Sequence, residues 1–175
     1  MIRKQLAGVS ETSDQNASWG EGIYTPQMSR RTYDALLTYA QRELNAGKTV
    51  VLDACYGSKE ERLRLKRFAD NIKITPHFIL CYCSEKVIKS RLTVRAGDNK
   101  AVSDADWQIF KKQQKNLDPL DDLESKNFIL INTESPIEQL LTQLDFAFKK
   151  SSKNDQNTLK ICNSSPGYPP AIGEA

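Results

Sequence analysis

The chain has 175 residues, 39% hydrophobic and 27% charged, proportions that exclude a disordered polymer and fit one compact α/β domain. Its 25 Lys+Arg against 22 Asp+Glu leave a formal charge of +3, too small a surplus to argue for a nucleic-acid partner. No apolar run approaches the roughly 18 residues that cross a bilayer, and no apolar h-region follows Met1-Ile2-Arg3-Lys4-Gln5-Leu6, so neither a membrane span nor a secretory signal is expected, and a cytoplasmic location is.

Residues 1–28, with Gly20, Gly22 and Pro26 among polar neighbours, read as loop-rich. Ser29 is placed to cap a helix in which Tyr33, Leu36, Leu37, Ala40 and Leu44 recur at helical spacing, with Gly47 as the stop. Thr49-Val50-Val51-Leu52 is apolar on both faces, the mark of a strand covered by helices. Ser58 and Glu61 have the S-x-x-E spacing of a capping box for a helix burying Leu65, Phe68, Ala69 and Ile72. Pro76 introduces a second strand from His77 to Cys83, and Ser84 is placed to cap the next helix. Ser103-Asp104-Ala105-Asp106 suits the start of a further one. Phe128-Ile129-Leu130-Ile131 is a third strand, and Ser135-Pro136 with Glu138 opens a last helix with the stripe Ile137, Leu140, Leu141, Leu144 and Phe148. Strands alternating with helices predict a parallel sheet flanked by helices over residues 1–149. Residues 150–175, rich in turn formers through Pro169-Pro170, are expected to form a disordered tail.

Cys55, Cys81, Cys83 and Cys162 do not form a disulfide framework. Cys81-Tyr82-Cys83 with His77 nearby invites a metal reading, but zinc takes four ligands and the remaining cysteines lack C-x₂-C spacing, which favours small buried hydrophobes.

In parallel α/β sheets ligands gather at the carboxyl ends of the strands, and that rule selects three places. Asp53 ends the first strand, where a carboxylate can hold Mg²⁺ through water, accept a proton from an attacking hydroxyl, or bond the amides of the next loop. Arg91 and Arg95 lie four residues apart on one helix face, with Lys86 and Lys89 nearby, ahead of the polar loop Gly97-Asp98-Asn99-Lys100. They suit either a lid over phosphates or a solvated basic face. Asn132-Thr133 ends the third strand, where Thr133 lines a base pocket or begins the turn into Ser135. Gly47-Lys48-Thr49 is not the end of a phosphate loop: position 42 is Arg42 rather than glycine, and the triplet follows a helix and opens a strand.

Several segments together resemble a known family. Ile2-Arg3-Lys4-Gln5-Leu6-Ala7-Gly8, Tyr24-Thr25-Pro26-Gln27-Met28-Ser29-Arg30-Arg31-Thr32-Tyr33 and Val50-Val51-Leu52-Asp53-Ala54 look like bacterial P-loop kinase domains of the zeta-toxin and polynucleotide-kinase-like (AAA-type ATP-binding) group. So do Arg91-Leu92-x-x-Arg95, Ser103-Asp104-Ala105-Asp106 and Gln114-x-x-Leu117-Asp118-Pro119-Leu120, in the same order over residues 1–148. The resemblance implies a nucleoside-monophosphate-kinase-like fold that transfers the γ-phosphoryl of ATP to a hydroxyl, with ATP and Mg²⁺ as cofactors. It makes Asp53 the carboxylate of a Walker-B-like strand that reaches Mg²⁺ through water, Arg91 and Arg95 the lid arginines, and Arg3 the acceptor-side arginine of an S-D-x-x-R segment.

The sequence departs from that pattern. Cys55 stands where the group commonly has threonine, and the acidic residue of S-D-x-x-R falls before Met1. The strand, phosphate loop, helix and strand that precede this segment in the group are missing too, on the order of 35–45 residues. That strand sits in mid-sheet, so its loss is expected to leave two inner edges unpaired. The expectation is therefore a truncated P-loop fold, inactive or nearly so alone, with Met1 an internal methionine of a longer frame or a restart. Its natural complement would be a missing N-terminal segment or a partner chain, and its acceptor is unspecified. The competing reading is a non-enzymatic degenerate kinase fold that docks another chain along its sheet edges. A nucleic-acid binder is disfavoured by the charge balance.

Overall fold

A computed structural model of the chain describes residues 1–10, 12–13, 20–98, 105–123, 128–151 and 158–163. Within the stretch expected to be loop, Ile2–Leu6 forms a short helix, α1, and Gly22–Tyr24 a single 3₁₀ turn. Helix α2 (Pro26–Asn45) starts three residues before Ser29. Thr25 Oγ1 accepts the Met28 N–H at 3.2 Å, and Pro26 takes the first helical position, where a missing N–H loses nothing. Gly47 closes it at φ +76°, a conformation that favours glycine.

The alternation predicted from the hydrophobic periods then follows: β1 (Val50–Asp53), α3 (Lys59–Asn71), β2 (Thr75–Tyr82), α4 (Glu85–Ala96), α5 (Trp107–Lys115), β3 (Phe128–Asn132) and α6 (Ile137–Ser151). The capping box at Ser58 does not form. The Lys59 N–H donates to Asp118 Oδ2 at 2.7 Å, so a carboxylate from 59 residues downstream does the work of the local hydroxyl. Helix α5 begins at Trp107, with Asp106 Oδ1 accepting the Ile109 N–H at 2.7 Å. Ser103 and Asp104, expected at that start, lie outside the described residues, as do Asn99 and Lys100.

The expectation for residues 150–175 fails at one place. Thr158–Asn163 forms a strand, β4, in the interior of the sheet, whose order is β1-β4-β2-β3. Every neighbouring pair is parallel. Register sets Leu52 beside Ile161 on one side and Phe78 beside Ile161 on the other. The inner edges of β1 and β2 are thus both paired, where the sequence predicted them bare. Ladder hydrogen bonds from two neighbours outweigh the polar composition of the surrounding segment. Residues 152–157 and 164–175 lie outside the description.

One face of the sheet carries the main core. Ala40 of α2 and Leu65 and Ala69 of α3 pack with Leu52, Tyr56, Ile74 and Phe78. On the opposite face His77, the neighbour of Phe78 in β2, meets Phe148 of α6 edge-on, with ring centroids 5.7 Å apart. A smaller cluster of Cys83, Ile88 and Phe110 joins α4 and α5 to the end of β2. Strand β1 is not covered on both faces as its apolar run suggested: Leu52 is 3% exposed but Val51 is 58%. The stripe of α6 is likewise half used, with Ile137 and Leu141 about as exposed as Val51. Among the described residues no helix is long and apolar enough to cross a membrane.

Candidate functional site

The carboxyl edge of the sheet collects Asp53 from β1, Ser84 just after β2, and Thr133 just after β3. Asp53 is exposed at the strand end, in register with Cys162 of β4. The strand order puts β4 and β2 between it and β3, a span of roughly 14 Å at ~4.8 Å per strand.

At the far end of this edge Arg91 and Thr133 come together. Arg91 donates through Nη1 to Thr133 Oγ1 at 2.8 Å and through Nη2 to the Thr133 carbonyl at 2.8 Å. A further contact of 3.7 Å reaches Cys83 Sγ. Thr133 in turn donates its backbone N–H to the Tyr82 carbonyl at 2.8 Å. Arg91 therefore ties α4 to the ends of β2 and β3, while Arg95 is exposed one turn further along. Next to this tie Glu134 Oε1 accepts the Ser84 N–H at 2.6 Å. That bond holds the Glu134 carboxyl below its ordinary range and satisfies the amide of Ser84, the residue that precedes α4.

Near β1, Arg3 donates through Nη1 to the Ile23 carbonyl at 3.0 Å and to Ser29 Oγ at 3.1 Å. Its guanidinium lies over the Tyr24 ring, 5.4 Å from the centroid. Burial lowers its pKa, and the neighbouring Tyr33, Tyr24 and Cys55 side chains act against that shift. Arg3, Tyr24, Tyr33 and Cys55 are thus grouped beside the end of β1. Burial pushes the Tyr33 and Tyr56 phenols well above their ordinary range, so both stay protonated near neutrality and neither serves as a base. The Tyr33 hydroxyl accepts the Tyr56 N–H at 3.1 Å and pins the turn that follows Asp53-Ala54-Cys55.

The strongest feature of this region is one that the motifs did not single out. Arg62 is 0% exposed. Its Nε donates to both oxygens of Asp122 at 3.0 Å, and its Nη2 donates to Asp122 Oδ1 at 2.7 Å and to the Pro119 carbonyl at 2.5 Å. Nη1 donates to the carbonyls of Tyr56 at 3.0 Å and Gly57 at 3.2 Å. Asp118 returns its N–H to the Gly57 carbonyl at 2.9 Å. The Leu117-Asp118-Pro119-Leu120 segment is thereby clamped onto the turn after β1, which is how that segment earns its place in the fold. The sequence does hold a signal: Arg62 falls at the position to which the Leu65, Ala69, Ile72 stripe extends backward, a charge on an apolar helix face.

Among the described residues no group of three or more His, Cys, Asp or Glu side chains is arranged to hold a metal. The carboxyl edge thus carries one exposed strand-end carboxylate, Asp53, and, on α4, the exposed arginines Arg91 and Arg95. The sequence contains no G-x-x-x-x-G-K-[ST] motif.

A parallel sheet flanked by helices, with polar residues gathered at its carboxyl edge, is the architecture of a nucleotide-handling α/β domain of the P-loop NTPase-like kind, among other α/β folds. The AAA domain family (AAA_33), whose members are P-loop NTPase and kinase-like, matches residues 1–120, and the chain belongs to it. Neither the characterised proteins nor the solved structures give a match.

Proposed function

We propose that this chain is the acceptor-and-lid portion of an ATP-dependent kinase that phosphorylates a hydroxyl, within the zeta-toxin and polynucleotide-kinase-like group, and that it does not turn over ATP by itself. The observation that supports this reading is the carboxyl edge: Asp53 ends β1, Arg3 is grouped with Cys55 beside it, and Arg91 stands over the end of β3. In this reading Asp53 is the carboxylate facing the nucleotide metal, Arg3 orients the acceptor, and Arg91, Arg95 and Thr133 border the nucleotide. ATP and Mg²⁺, when bound, supply the phosphoryl group and the charge that draws electrons from it; the chain's own part is positioning and charge complementarity. Inactivity follows from the missing phosphate-loop amides and lysine, which carry the main electrostatic contribution in such sites.

The test is ATP hydrolysis by the purified chain with Mg²⁺. The expected result is a rate indistinguishable from buffer for the wild type and for Asp53→Ala. A rate above buffer that Asp53→Ala abolishes overturns the inactivity.

The competing reading, a non-enzymatic interaction module, draws support from the exposed Val51 on β1 and Ile137 and Leu141 on α6. Its mark is a stable complex with a second protein that persists in Arg91→Ala and Arg95→Ala.

A further inference from the structure

Arg3, Arg62 and Arg64 are the arginines that, among the described residues, are not exposed. Arg62 pairs with Asp122 at 2.7 Å. Arg64 pairs with Glu61 at 2.6 Å and also with Asp34. Arg3 alone has no carboxylate partner among the described residues. Its Nη1 donates to two neutral oxygens, the Ile23 carbonyl and Ser29 Oγ, and its guanidinium lies over the Tyr24 ring. Nε and Nη2 donate to nothing among the described residues. A guanidinium drawn partly out of water with no counter-charge is destabilised, and the lowering of its pKa by burial has that cause. Its foremost electrostatic neighbour, Tyr33, brings no negative charge near neutrality, because burial keeps the phenol protonated.

Tyr33 adds a second unspent donor. Its hydroxyl accepts the Tyr56 N–H at 3.1 Å, and among the described residues it donates to nothing. Both side chains are half-buried, so a solute reaches them. We propose that Arg3 and Tyr33 form an oxyanion subsite beside the end of β1, and that it holds the phosphate or carboxylate group of a hydroxyl-bearing compound. The free edge of the guanidinium suits two oxygens of such a group, and the phenolic O–H suits a further lone pair. The subsite stands on these contacts alone. That its ligand is the acceptor rests on the kinase reading above.

The experiment uses the full-length chain without nucleotide. Inorganic phosphate and acetate are titrated separately at constant ionic strength, and NMR follows the Arg3 Nε–H and the Tyr56 amide, which reports on the Tyr33 hydroxyl. The expected result is a saturable shift of both signals. Tighter binding of phosphate assigns a phosphate ligand, and tighter binding of acetate a carboxylate. Arg3→Gln is expected to weaken binding about tenfold or more, and Tyr33→Phe about threefold or more with the Arg3 signal still shifting. If Arg3→Gln does not fold, Tyr33→Phe and the wild-type shifts decide. No saturable shift with either anion, or binding that survives Arg3→Gln undiminished, overturns the subsite and leaves the kinase reading with an uncharged acceptor. ATP hydrolysis by the chain would overturn its inactivity and leave the subsite in place.

Discussion

The two sides of the sheet are held in different ways. Around β1, the turn after Asp53 is held by the fully buried Arg62 guanidinium, which bonds the Tyr56 and Gly57 carbonyls of the turn, the Asp122 carboxylate and the Pro119 carbonyl, and by the Asp118 N–H on the Gly57 carbonyl. Helices α2 and α3 are further linked on the surface by the Arg30–Glu60 and Arg64–Asp34 ion pairs. Around β3, helices α4 and α5 rest on a core of three buried residues and on the Arg91–Thr133 tie, with Lys89 and Lys111 lying over the Trp107 ring. The first side is a platform that fixes where Asp53 sits. The second has little buried area to oppose movement, which places the arginine-bearing helix at the low-stability end of the molecule.

Substitutions can break that contrast or sharpen it. Arg62→Ala strands the Asp122 carboxylate in the interior and is expected to lower global stability by about 3–5 kcal/mol, read from urea unfolding. Tyr56→Phe acts in the opposite direction. Among the described residues the buried Tyr56 hydroxyl has no hydrogen-bond partner, so its removal is expected to raise the unfolding free energy by about 1–3 kcal/mol. Asp118→Ala removes the partner of the Lys59 N–H and is expected to cost about 1 kcal/mol. On the other side of the sheet, Arg91→Ala breaks an exposed tie and is expected to cost about 1 kcal/mol or less globally. Its larger signature is faster amide exchange confined to α4 and α5. Equal global losses for Arg62→Ala and Arg91→Ala would erase the distinction between the two sides.

The smallest effect concerns pH. Burial raises the Glu61 carboxyl above its ordinary 4.5, against the pull of Arg64 and Arg30. Between 4.5 and the raised value the folded chain holds more proton than the unfolded chain, so this group makes stability fall as pH rises through that window. Glu61→Gln is expected to flatten that part of the curve, checked by urea midpoints at a series of pH values.

Much of the alternation was legible because helices α2, α3 and α6 show their apolar positions at a period near 3.6 and each of the first three strands is a short apolar run. The caps were less so. Ser58 looked sufficient by local spacing, yet the helix start is met instead by Asp118, which accepts the Lys59 N–H through a contact that no window of ten residues contains. The same reason hid the pairing of Arg62 with Asp122, although the misplaced charge on the helix stripe was visible. Asp53 was legible from one general rule about strand ends, and Thr133 from the same rule, but their separation by two intervening strands was not. Strand β4 escaped detection because Thr158-Leu159-Lys160-Ile161-Cys162-Asn163 alternates only weakly amid Ser, Lys, Asn and Pro, and its stability comes from two neighbours far away in sequence.

Sheet order also sets a timetable for synthesis. Strand β1 touches the rest of the sheet only through β4. A ribosome adding about 5–20 residues per second needs roughly 1–5 s to go from the end of β3 to the start of β4. During that interval the edges of β1 and β2 that β4 later covers are both open on the nascent chain.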